Sequence, residues 1–385
     1  MGPPGAPATS GRPGPVLIDI PRDVFVEQAD FQYPAKIDLP GYKPVLKGHP
    51  AQIKKAARLI NQAQRPLIIA GRGVTISRAF DELRQLAEKA QIPVITTLLG
   101  ISSFPGNHML SLGMLGMHGM AYANMAVDEA DLVVAIGMRF DDRATMKANS
   151  FAAKARIVHI DIDPAEIGKN IKVDVPIVGD AKSILRELNE EVTSQSRVDW
   201  VNQIEHWRHE HPSLAIRGGD ELLPQFVIHS ICEATDGNAL VVTGVGQHQM
   251  WSAQHYCFKR PNSLISSGGL GTMGFELPAA IGAKIGCPDE TVWCMAGDGS
   301  LQMTIQELAT AAQERTGIKI AILNNGYLGM VRQWQELFFD DRKSGVDLIG
   351  NPDFCKLAAA YGIPSVHIKR PADVTKQLEK ALAYN

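Results

Sequence analysis

The sequence contains little that would indicate a disulfide-rich, membrane-spanning or nucleic-acid-binding protein. Its 385 residues include only five cysteines, and no two of them form a C-x-x-C pair, so neither a disulfide framework nor a zinc ribbon is indicated. Aromatic residues make up only 6%, and the apolar runs have the length of strands rather than of membrane spans. The 38 basic and 41 acidic residues nearly balance, which gives no electrostatic case for nucleic acid.

The sequence is rich in glycine and in short apolar runs. Between its 35 glycines lie runs that are apolar throughout rather than at alternate positions. Strands buried on both faces have this pattern, and the helical spacing between them indicates parallel strands joined by helical crossovers. At about 150 residues per domain, the length allows two or three domains. We therefore predict an α/β fold with two doubly wound parallel-sheet domains.

The predicted strands form two series separated by a polar stretch. They are residues 16–20, 66–70, 93–96, 132–136, 156–160 and 176–178, then 239–243, 291–295, 319–323 and 365–368. The main predicted helices are residues 51–62, 77–90, 277–285, 305–314, 352–361 and 372–383. Ser77 is the expected N-cap of the second of these helices. The polar stretch 190–220 is interpreted as a linker that contains one helix, so the domains span residues 48–189 and 221–385.

Two turns of the second series carry the strongest chemical signal. The strand 291–295 runs into Gly-Asp-Gly-Ser at residues 297–300, and Asn325 follows Asp298 by 27 residues, one βαβ repeat. In a parallel sheet both turns lie at the carboxyl edge, where carboxylate, carboxamide and carbonyl oxygens suit Mg²⁺ that also carries phosphate. Gly, Asp and Asn are common in any such turn, so each turn alone favours an ordinary turn. Together they match the diphosphate motif of thiamine-diphosphate enzymes.

Several further runs make the resemblance more specific. They are residues 11–17 (GRPGPVL), 113–119 (GMLGMHG), 139–143 (RFDDR), 159–163 (HIDID), 244–248 (GVGQH) and 325–335 (NGYLGMVRQWQ). In this order they resemble the catalytic-subunit family of acetohydroxyacid synthase (acetolactate synthase) over nearly the whole chain. The resemblance implies that residues 1–30 are the remnant of a pyrimidine-binding domain, that residues 48–189 are the central domain, and that residues 221–385 are a diphosphate-binding domain shortened at its end. The glutamate that protonates the cofactor would lie in the missing first domain, so we name no catalytic residue.

The resemblance also implies a set of cofactor-binding residues in the second domain. Asp298, Asn325 and the carbonyl of Tyr327 correspond to Mg²⁺ ligands. The positions corresponding to thiamine diphosphate contacts are Val245, Gly246, Gln247, His248, Gly271, Met273, Gly299, Ser300, Leu328 and Met330. In the family this cofactor forms the carbanion that adds to a 2-keto acid and stabilises the charge left by loss of CO₂.

The central domain is expected to bind FAD, which in the family takes no part in net oxidation or reduction. Gly71 and Gly73 follow a strand, but residue 76 is Ile, so the full G-x-G-x-x-G of a hydride-transfer site is absent. The positions that match FAD contacts are Arg12, Gly71, Gly73, Thr97, Leu98, Met117, His118, Gly137, Arg139, Asp142, Asp161 and Asp180. The aspartates fit ordinary strand-end positions equally well.

A substrate pocket is implied at Arg143, Met330 and Trp334. Trp334 lies four residues after Met330, so the two share one helix face. A core or half-exposed aromatic is the simpler interpretation of Trp334 from sequence alone. In the family it forms a wall that selects the acceptor keto acid by size, and an apolar pocket distinguishes one methylene by about 1–3 kcal/mol.

The function implied by the resemblance is acetolactate synthesis, in which pyruvate is decarboxylated and the two-carbon unit is joined to pyruvate or 2-ketobutyrate. This is the first common step of branched-chain amino-acid biosynthesis. The chain alone is expected to be inactive. A homodimer or homotetramer with a composite active site, a regulatory small subunit, and a cytoplasmic or organellar location are also implied. A related thiamine-dependent decarboxylase or glyoxylate carboligase, and a non-catalytic cofactor-binding fragment, are the alternatives.

Overall fold

A computed structural model describes residues 8–30, 32 and 41–384 of the chain. Its first half forms a six-stranded sheet in the order β3-β2-β1-β4-β5-β6, and every pairing is parallel. In chain order the elements are α1 (Arg22–Val26), α2 (Pro50–Gln62), β1 (Pro66–Ala70), α3 (Arg72–Ser77), α4 (Phe80–Ala90), β2 (Val94–Thr96), β3 (Ser111–Met114), α5 (Ala121–Glu129), β4 (Leu132–Ile136), α6 (Asp142–Thr145), β5 (Arg156–Asp161), β6 (Val175–Val178), α7 (Ala181–Glu191) and α8 (Val198–Glu210). Single 3₁₀ turns occupy Leu98–Gly100 and Ala148–Ser150.

The first sheet is buried on both faces. In β1, Ile68 and Ala70 pack into the cluster formed with α2, α4 and α7, whereas Leu67 and Ile69 pack into the cluster formed with α5 and α8. Successive side chains of a strand point to opposite faces, so a strand covered on both sides must be apolar at every position. This confirms the doubly wound arrangement that the continuous apolar runs predict.

The second half forms a four-stranded parallel sheet in the order β10-β9-β7-β8. Its elements are α9 (Pro224–Ala234), β7 (Leu240–Thr243), α10 (Gln247–His255), β8 (Leu264–Ser266), α11 (Glu276–Gly286), β9 (Val292–Gly297), α12 (Asp298–Gln302), α13 (Glu307–Gln313), β10 (Lys319–Leu323), α14 (Gly329–Phe338), α15 (Phe354–Ala360), a 3₁₀ turn (Pro371–Asp373) and α16 (Val374–Ala383). In β9, Trp293 and Met295 face one apolar cluster and Val292 and Cys294 the other.

The two halves pack directly on one another. Ile101 and Met114 of the first half are buried in the same cluster as Ile228 of α9. The Gly106 N–H donates a hydrogen bond to the carbonyl of Phe258 at 2.8 Å. The Gln254 amide of α10 donates to the His118 carbonyl at 2.8 Å, so the loop that follows β3 lies beside α10.

Two predicted strands are wrong. Residues 16–20 pair with no strand in the part of the chain that the structure describes, and Leu17 is 91% exposed. Residues 365–368 are coil, and Ile368 packs against the apolar cluster beneath α16 instead. Apolar, β-branched residues favour a strand only where a neighbouring strand offers its backbone N–H and C=O groups.

The predicted N-cap at Ser77 is also wrong. Ser77 is the last residue of α3, and α4 begins at Phe80. The Ser77 hydroxyl accepts a hydrogen bond from the backbone N–H of Lys182 at 2.7 Å. A capping residue is therefore present, but it satisfies the first turn of α7 rather than that of α4.

The stretch 190–220 contains more packed structure than its composition indicates. Its helix α8 buries Trp200 and Ile204 against the first sheet. Strands β3 and β8, which have only four and three residues, have no counterpart among the predicted strands. Within residues 8–30, 32 and 41–384, no helix is both long enough and apolar enough to cross a membrane.

Candidate cofactor-binding site

The carboxyl edge of the second sheet brings the predicted cofactor residues together. Gly297 at the end of β9 is in register with Leu323 at the end of β10, and β7 pairs with the other side of β9. The turns that follow all three strands therefore leave the sheet at one edge, as the motif spacing predicts.

Asp298 joins two of these turns. Its side chain is buried, with 2% exposure, and its Oδ2 accepts a hydrogen bond from the Gly326 N–H at 3.0 Å. The neighbouring Asn325 accepts the Tyr327 N–H at 3.1 Å and donates to Gln247 Oε1 at 3.3 Å. Carboxylate and carboxamide oxygens from the two turns thus lie in one place, which is the donor set that a hard cation such as Mg²⁺ prefers.

Asn351 is a member of this site that sequence reasoning missed. Its Nδ2 donates to Asp298 Oδ2 at 2.6 Å and to Asn324 Oδ1 at 3.3 Å. Residues 346–348 fold back on 326–328, with hydrogen bonds between Leu328 and Val346 and between Leu348 and Gly326. No motif marks residue 351, because only this pairing of distant loops carries it to Asp298.

Glycines shape the space around the turn. A Cβ added to Gly299 would lie 2.9 Å from Leu328 and 3.0 Å from Leu348, and one added to Gly297 would lie 2.6 Å from His248 Nδ1. The Met273 methyl is 3.9 Å from the same point beside Gly299. Predicted residues from three separate segments, together with Leu348, therefore surround a backbone that only glycine leaves open.

His248 is a buried, uncharged residue with an unused polar atom. It is 5% exposed on α10, and burial lowers its pKa to about 4, so the ring is neutral near pH 7. Its Nε2 has no hydrogen-bond partner among the described residues. Buried polar atoms are normally paired, so this nitrogen is suited to a ligand. The preceding Gly246 has a φ of 148°, which favours glycine.

The other predicted thiamine diphosphate residues lie on the same side. A Cβ on Gly271, whose φ is 66°, would lie 3.8 Å from Val245. Ser300 is buried, and its hydroxyl donates to Glu276 Oε2 and accepts the Gly274 N–H, both at 3.0 Å. The Ser300 hydroxyl is thus engaged within the protein, which leaves its backbone for a phosphate contact.

The three predicted pocket residues also come together. The Arg143 guanidinium of α6 lies 4.8 Å from the centre of the Trp334 ring on α14, so the two halves of the chain meet at this point. Met330 and Trp334 line an open groove of about 560 Å³ with Val331 and Phe339. Trp334 is half-buried rather than a core residue.

The predicted FAD residues lie along the carboxyl edge of the first sheet, where its glycines hold two turns together. A Cβ on Gly71 would lie 2.3 Å from the carbonyl oxygen of Gly137, and one on Gly73 would lie 2.5 Å from Gly137 Cα. Gly137 itself has a φ of 60°. These three residues are required by the close approach of the turns after β1 and β4.

Several polar residues of this set form hydrogen bonds or ion pairs with other residues of the protein. Arg12 forms ion pairs with Asp163 at 2.8 Å and Glu166 at 2.6 Å, two acidic partners that sequence reasoning missed. Asp180 caps α7 by accepting the Ser183 N–H at 3.0 Å. Thr97 caps the adjoining 3₁₀ turn by accepting the Gly100 N–H at 3.2 Å.

The remaining members of the set are more open, with one buried exception. Asp161 at the end of β5 is 8% exposed, and burial raises its pKa to about 6. Arg139 pairs with Asp141 at 3.3 Å in an exposed position. Leu98 begins the 3₁₀ turn after β2, Met117 and His118 lie in the loop after β3, and Asp142 is the first residue of α6.

Comparison with known proteins gives the family. Residues 53–188 match the central domain of thiamine pyrophosphate enzymes, and residues 244–385 match their C-terminal TPP-binding domain. The chain is 44% identical to the acetolactate synthase large subunit of Buchnera aphidicola from Acyrthosiphon pisum, over 98% of this chain and 67% of that protein. The chain belongs to the acetolactate synthase large-subunit family. This agrees with the resemblance carried by the sequence motifs.

Other relatives in the acetolactate synthase family match over the same extent. The large subunits of Mycobacterium tuberculosis and Corynebacterium glutamicum are each 47% identical over 98% of this chain. The chain spans 63% and 62% of the length of these two proteins. The TPP-binding match includes Asp298, Asn325 and His248, whose geometry is described above.

Proposed function

We propose that this chain binds thiamine diphosphate through Mg²⁺ and contributes this site to acetolactate synthesis from pyruvate, with pyruvate or 2-ketobutyrate as acceptor. The observation that carries the proposal is the convergence of the Asp298 and Asn325 turns on a glycine-lined space beside the unpartnered Nε2 of His248. A diphosphate carried by a hard cation fits this combination of oxygen donors, close backbone and a free nitrogen.

Different residues of the site would hold the metal ion and the diphosphate. Asp298, Asn325 and the carbonyl of Tyr327 would hold Mg²⁺, and the backbone of Gly299 and Ser300 would face the diphosphate. Gln247 is held against Asn325, which orients both amides toward the same space. When bound, thiamine diphosphate supplies the carbanion that adds to the keto acid and the electron sink that accepts charge as CO₂ leaves.

The groove beside α14 is the proposed acceptor site. Arg143 is cationic and partly exposed at 58% of its side chain, so it can attract the carboxylate of a 2-keto acid. Trp334 and Met330 form an apolar wall of the groove. The ring of Trp334 limits the volume available to the acceptor, which favours a small keto acid over a bulky one.

FAD is proposed as a second ligand, at the carboxyl edge of the first sheet. The buried carboxyl of Asp161 at the end of β5 and the closely packed glycine turns suit the ribose and phosphate parts of a dinucleotide. Arg12 and Asp180 do not offer free side chains in this conformation, because both are engaged within the protein. Titration of the chain with FAD, followed by flavin fluorescence, tests this ligand against NAD as a control.

Partners are proposed from the names of the relatives. The term large subunit in those names implies a small subunit, and we propose the same kind of partner here. A homodimer or homotetramer with a shared active site is the proposed assembly.

Calorimetric titration of the chain with thiamine diphosphate tests the proposed site. We expect saturable binding that requires Mg²⁺ and that Asp298→Asn abolishes. The matched control is Asp289→Asn, because Asp289 is exposed in the loop before β9. Binding without Mg²⁺ dependence, or equal affinity in Asp298→Asn, would contradict the proposed metal site.

A second assay separates catalysis from binding. The chain is co-expressed with the N-terminal third of a relative, and acetolactate formed from pyruvate is measured. Product formation supports the synthase. Cofactor binding without product favours the non-catalytic alternative, and product from glyoxylate alone favours a glyoxylate carboligase.

A further inference from the structure

Glu276 is a buried acidic residue to which the proposed function assigns no role. It is the first residue of α11 and has 0% exposure. Its Oε2 accepts the Ser300 hydroxyl at 3.0 Å, and its Oε1 has no hydrogen-bond partner among the described residues. No cation pairs with it in residues 8–30, 32 and 41–384. Burying a carboxyl group with so few partners is costly, so its position calls for a compensating role.

Three segments of the proposed cofactor site meet at this carboxyl group. Ser300, from the turn after β9, donates to Glu276 and at the same time accepts the Gly274 N–H from the loop 268–274. Gly244, from the turn after β7, approaches so closely that an added Cβ would lie 2.3 Å from Glu276 Oε2 and 2.5 Å from the Ser300 hydroxyl. The Glu276 carboxyl group therefore lies against the segments 244–248 and 297–300, and Ser300 links it to the loop 268–274.

Glu276 holds the backbone of these segments, and among the described residues it makes no hydrogen bond or ion pair with the proposed metal ligands. Burial raises its pKa above the ordinary carboxyl value. Gly274 is further anchored by Thr304, whose hydroxyl donates to the Gly274 carbonyl at 2.8 Å. The loop 268–274 is thus held at its end, while Leu270 within it is 96% exposed.

We propose that Glu276 is a positioning residue that holds these three segments in the arrangement that binds thiamine diphosphate. The inference rests on the proposed function. It adds a residue that itself touches neither diphosphate nor metal but sets the spacing of the loops that do. Preformed loops avoid the entropic cost of ordering on binding, so loosening them lowers affinity even though no ligand contact is removed.

The first measurement is amide hydrogen exchange of the ligand-free chain. In Glu276→Ala we expect faster exchange in all three segments, and most directly at Gly274, whose N–H is bonded to Ser300. Glu276→Gln retains an oxygen that accepts the Ser300 hydroxyl and is expected to exchange like the wild type. Faster exchange confined to α11 would overturn the proposal.

The second measurement is the affinity for thiamine diphosphate in the presence of Mg²⁺, by calorimetry. Loss of this hydrogen-bonded connection is expected to weaken binding about tenfold in Glu276→Ala, and Glu276→Gln is expected to restore it. The matched control is Glu82→Ala, since Glu82 is a buried carboxyl of the first domain that pairs with Arg186 at 2.9 Å. Glu82→Ala should lower stability without changing cofactor affinity.

The outcomes separate this inference from the proposed function. Absence of thiamine diphosphate binding by the wild-type chain contradicts the proposed function and the role of Glu276 with it. Normal wild-type binding with unchanged affinity in Glu276→Ala overturns the role of Glu276 alone. If Glu276→Ala does not fold, Glu276→Asp shortens the same side chain and withdraws its oxygen from Ser300, and unchanged exchange at Gly274 in that variant overturns the proposal.

Discussion

Replacing His248 by asparagine removes a buried histidine that lies beside the turn after β9. In the folded chain burial lowers the pKa of His248 to about 4, against an ordinary value of 6.5. The unfolded chain therefore binds a proton between these two pH values that the folded chain excludes. The free energy of unfolding must therefore fall as the pH is lowered from 6.5 toward 4. Above pH 6.5, His248 adds almost no pH dependence to it.

The size of the effect follows from the two pKa values. One pH unit between them corresponds to about 1.36 kcal/mol, so the whole interval amounts to about 3.4 kcal/mol, of which about 2 kcal/mol is lost between pH 7.5 and pH 5. Asparagine does not titrate in this range. The difference in unfolding free energy between wild type and His248→Asn should therefore shrink by about 2 kcal/mol when the pH is lowered from 7.5 to 5.

Urea unfolding followed by circular dichroism measures this difference. His206→Asn is the control for the loss of an exposed histidine, because His206 lies on α8 with 63% of its side chain exposed. A difference for His248→Asn that stays constant between pH 7.5 and pH 5 would refute the reasoning, since it would mean that the folded chain protonates His248 as readily as the unfolded one.

Three further predictions use the same unfolding measurement. Burial raises the pKa of Asp161 to about 6 from 3.8, so between these pH values the folded chain binds a proton that the unfolded chain does not. The unfolding free energy of the wild type should therefore rise by about 1.4 kcal/mol when the pH is lowered from 7.5 to 5, and that of Asp161→Asn should lack this rise. Parallel pH profiles of the two proteins would contradict this. A double-mutant cycle of Arg143→Met and Trp334→Leu should give a coupling of about 0.5–1 kcal/mol, whereas strict additivity would mean that the stacked pair contributes nothing. Arg197 is buried and donates to three backbone carbonyls at the ends of α2 and α4. Arg197→Met should cost about 2–4 kcal/mol, and a loss below about 0.5 kcal/mol would show that water replaces the guanidinium.

Much of the fold could be predicted because its strands are buried on both faces. Leu67 and Ile69 face one layer while Ile68 and Ala70 face the other, so the run is apolar at every position and visible without a partner. Short strands lack this signal. In β3, two of the four residues are only partly buried, and its pairing with β2 includes an irregularity in register.

The two wrongly predicted strands show that an apolar, β-branched run does not by itself form a strand. Residues 16–20 have the composition of a strand, yet Leu17 is exposed at 91%. A strand forms only when another strand satisfies its backbone groups, and this depends on chain neighbours that a local pattern does not contain. Ser77 illustrates the same point for helices, because its hydroxyl caps a helix about a hundred residues away.

The candidate site was predictable where the chemistry is local in sequence. Asp298 and Asn325 lie in turns after adjacent strands, so their spacing alone predicts that they meet. Asn351 and Glu276 could not be found in this way. Asn351 reaches Asp298 only because one loop pairs with another, and Glu276 is read as an ordinary first residue of a helix until the burial around it is known.

The sequence by itself determined the fold class, the family and the set of turns that meet at the carboxyl edge of the second sheet, because parallel sheets bring successive strand ends to one edge. The tertiary structure decided which side chains in those turns remain available. Arg12 forms ion pairs with two acidic residues and Asp180 caps a helix, whereas the Nε2 of His248 has no hydrogen-bond partner in the part of the chain that the structure describes. The reason is that hydrogen bonds and burial depend on residues brought together from distant parts of the chain, so a local sequence pattern does not show which polar atoms are paired within the protein.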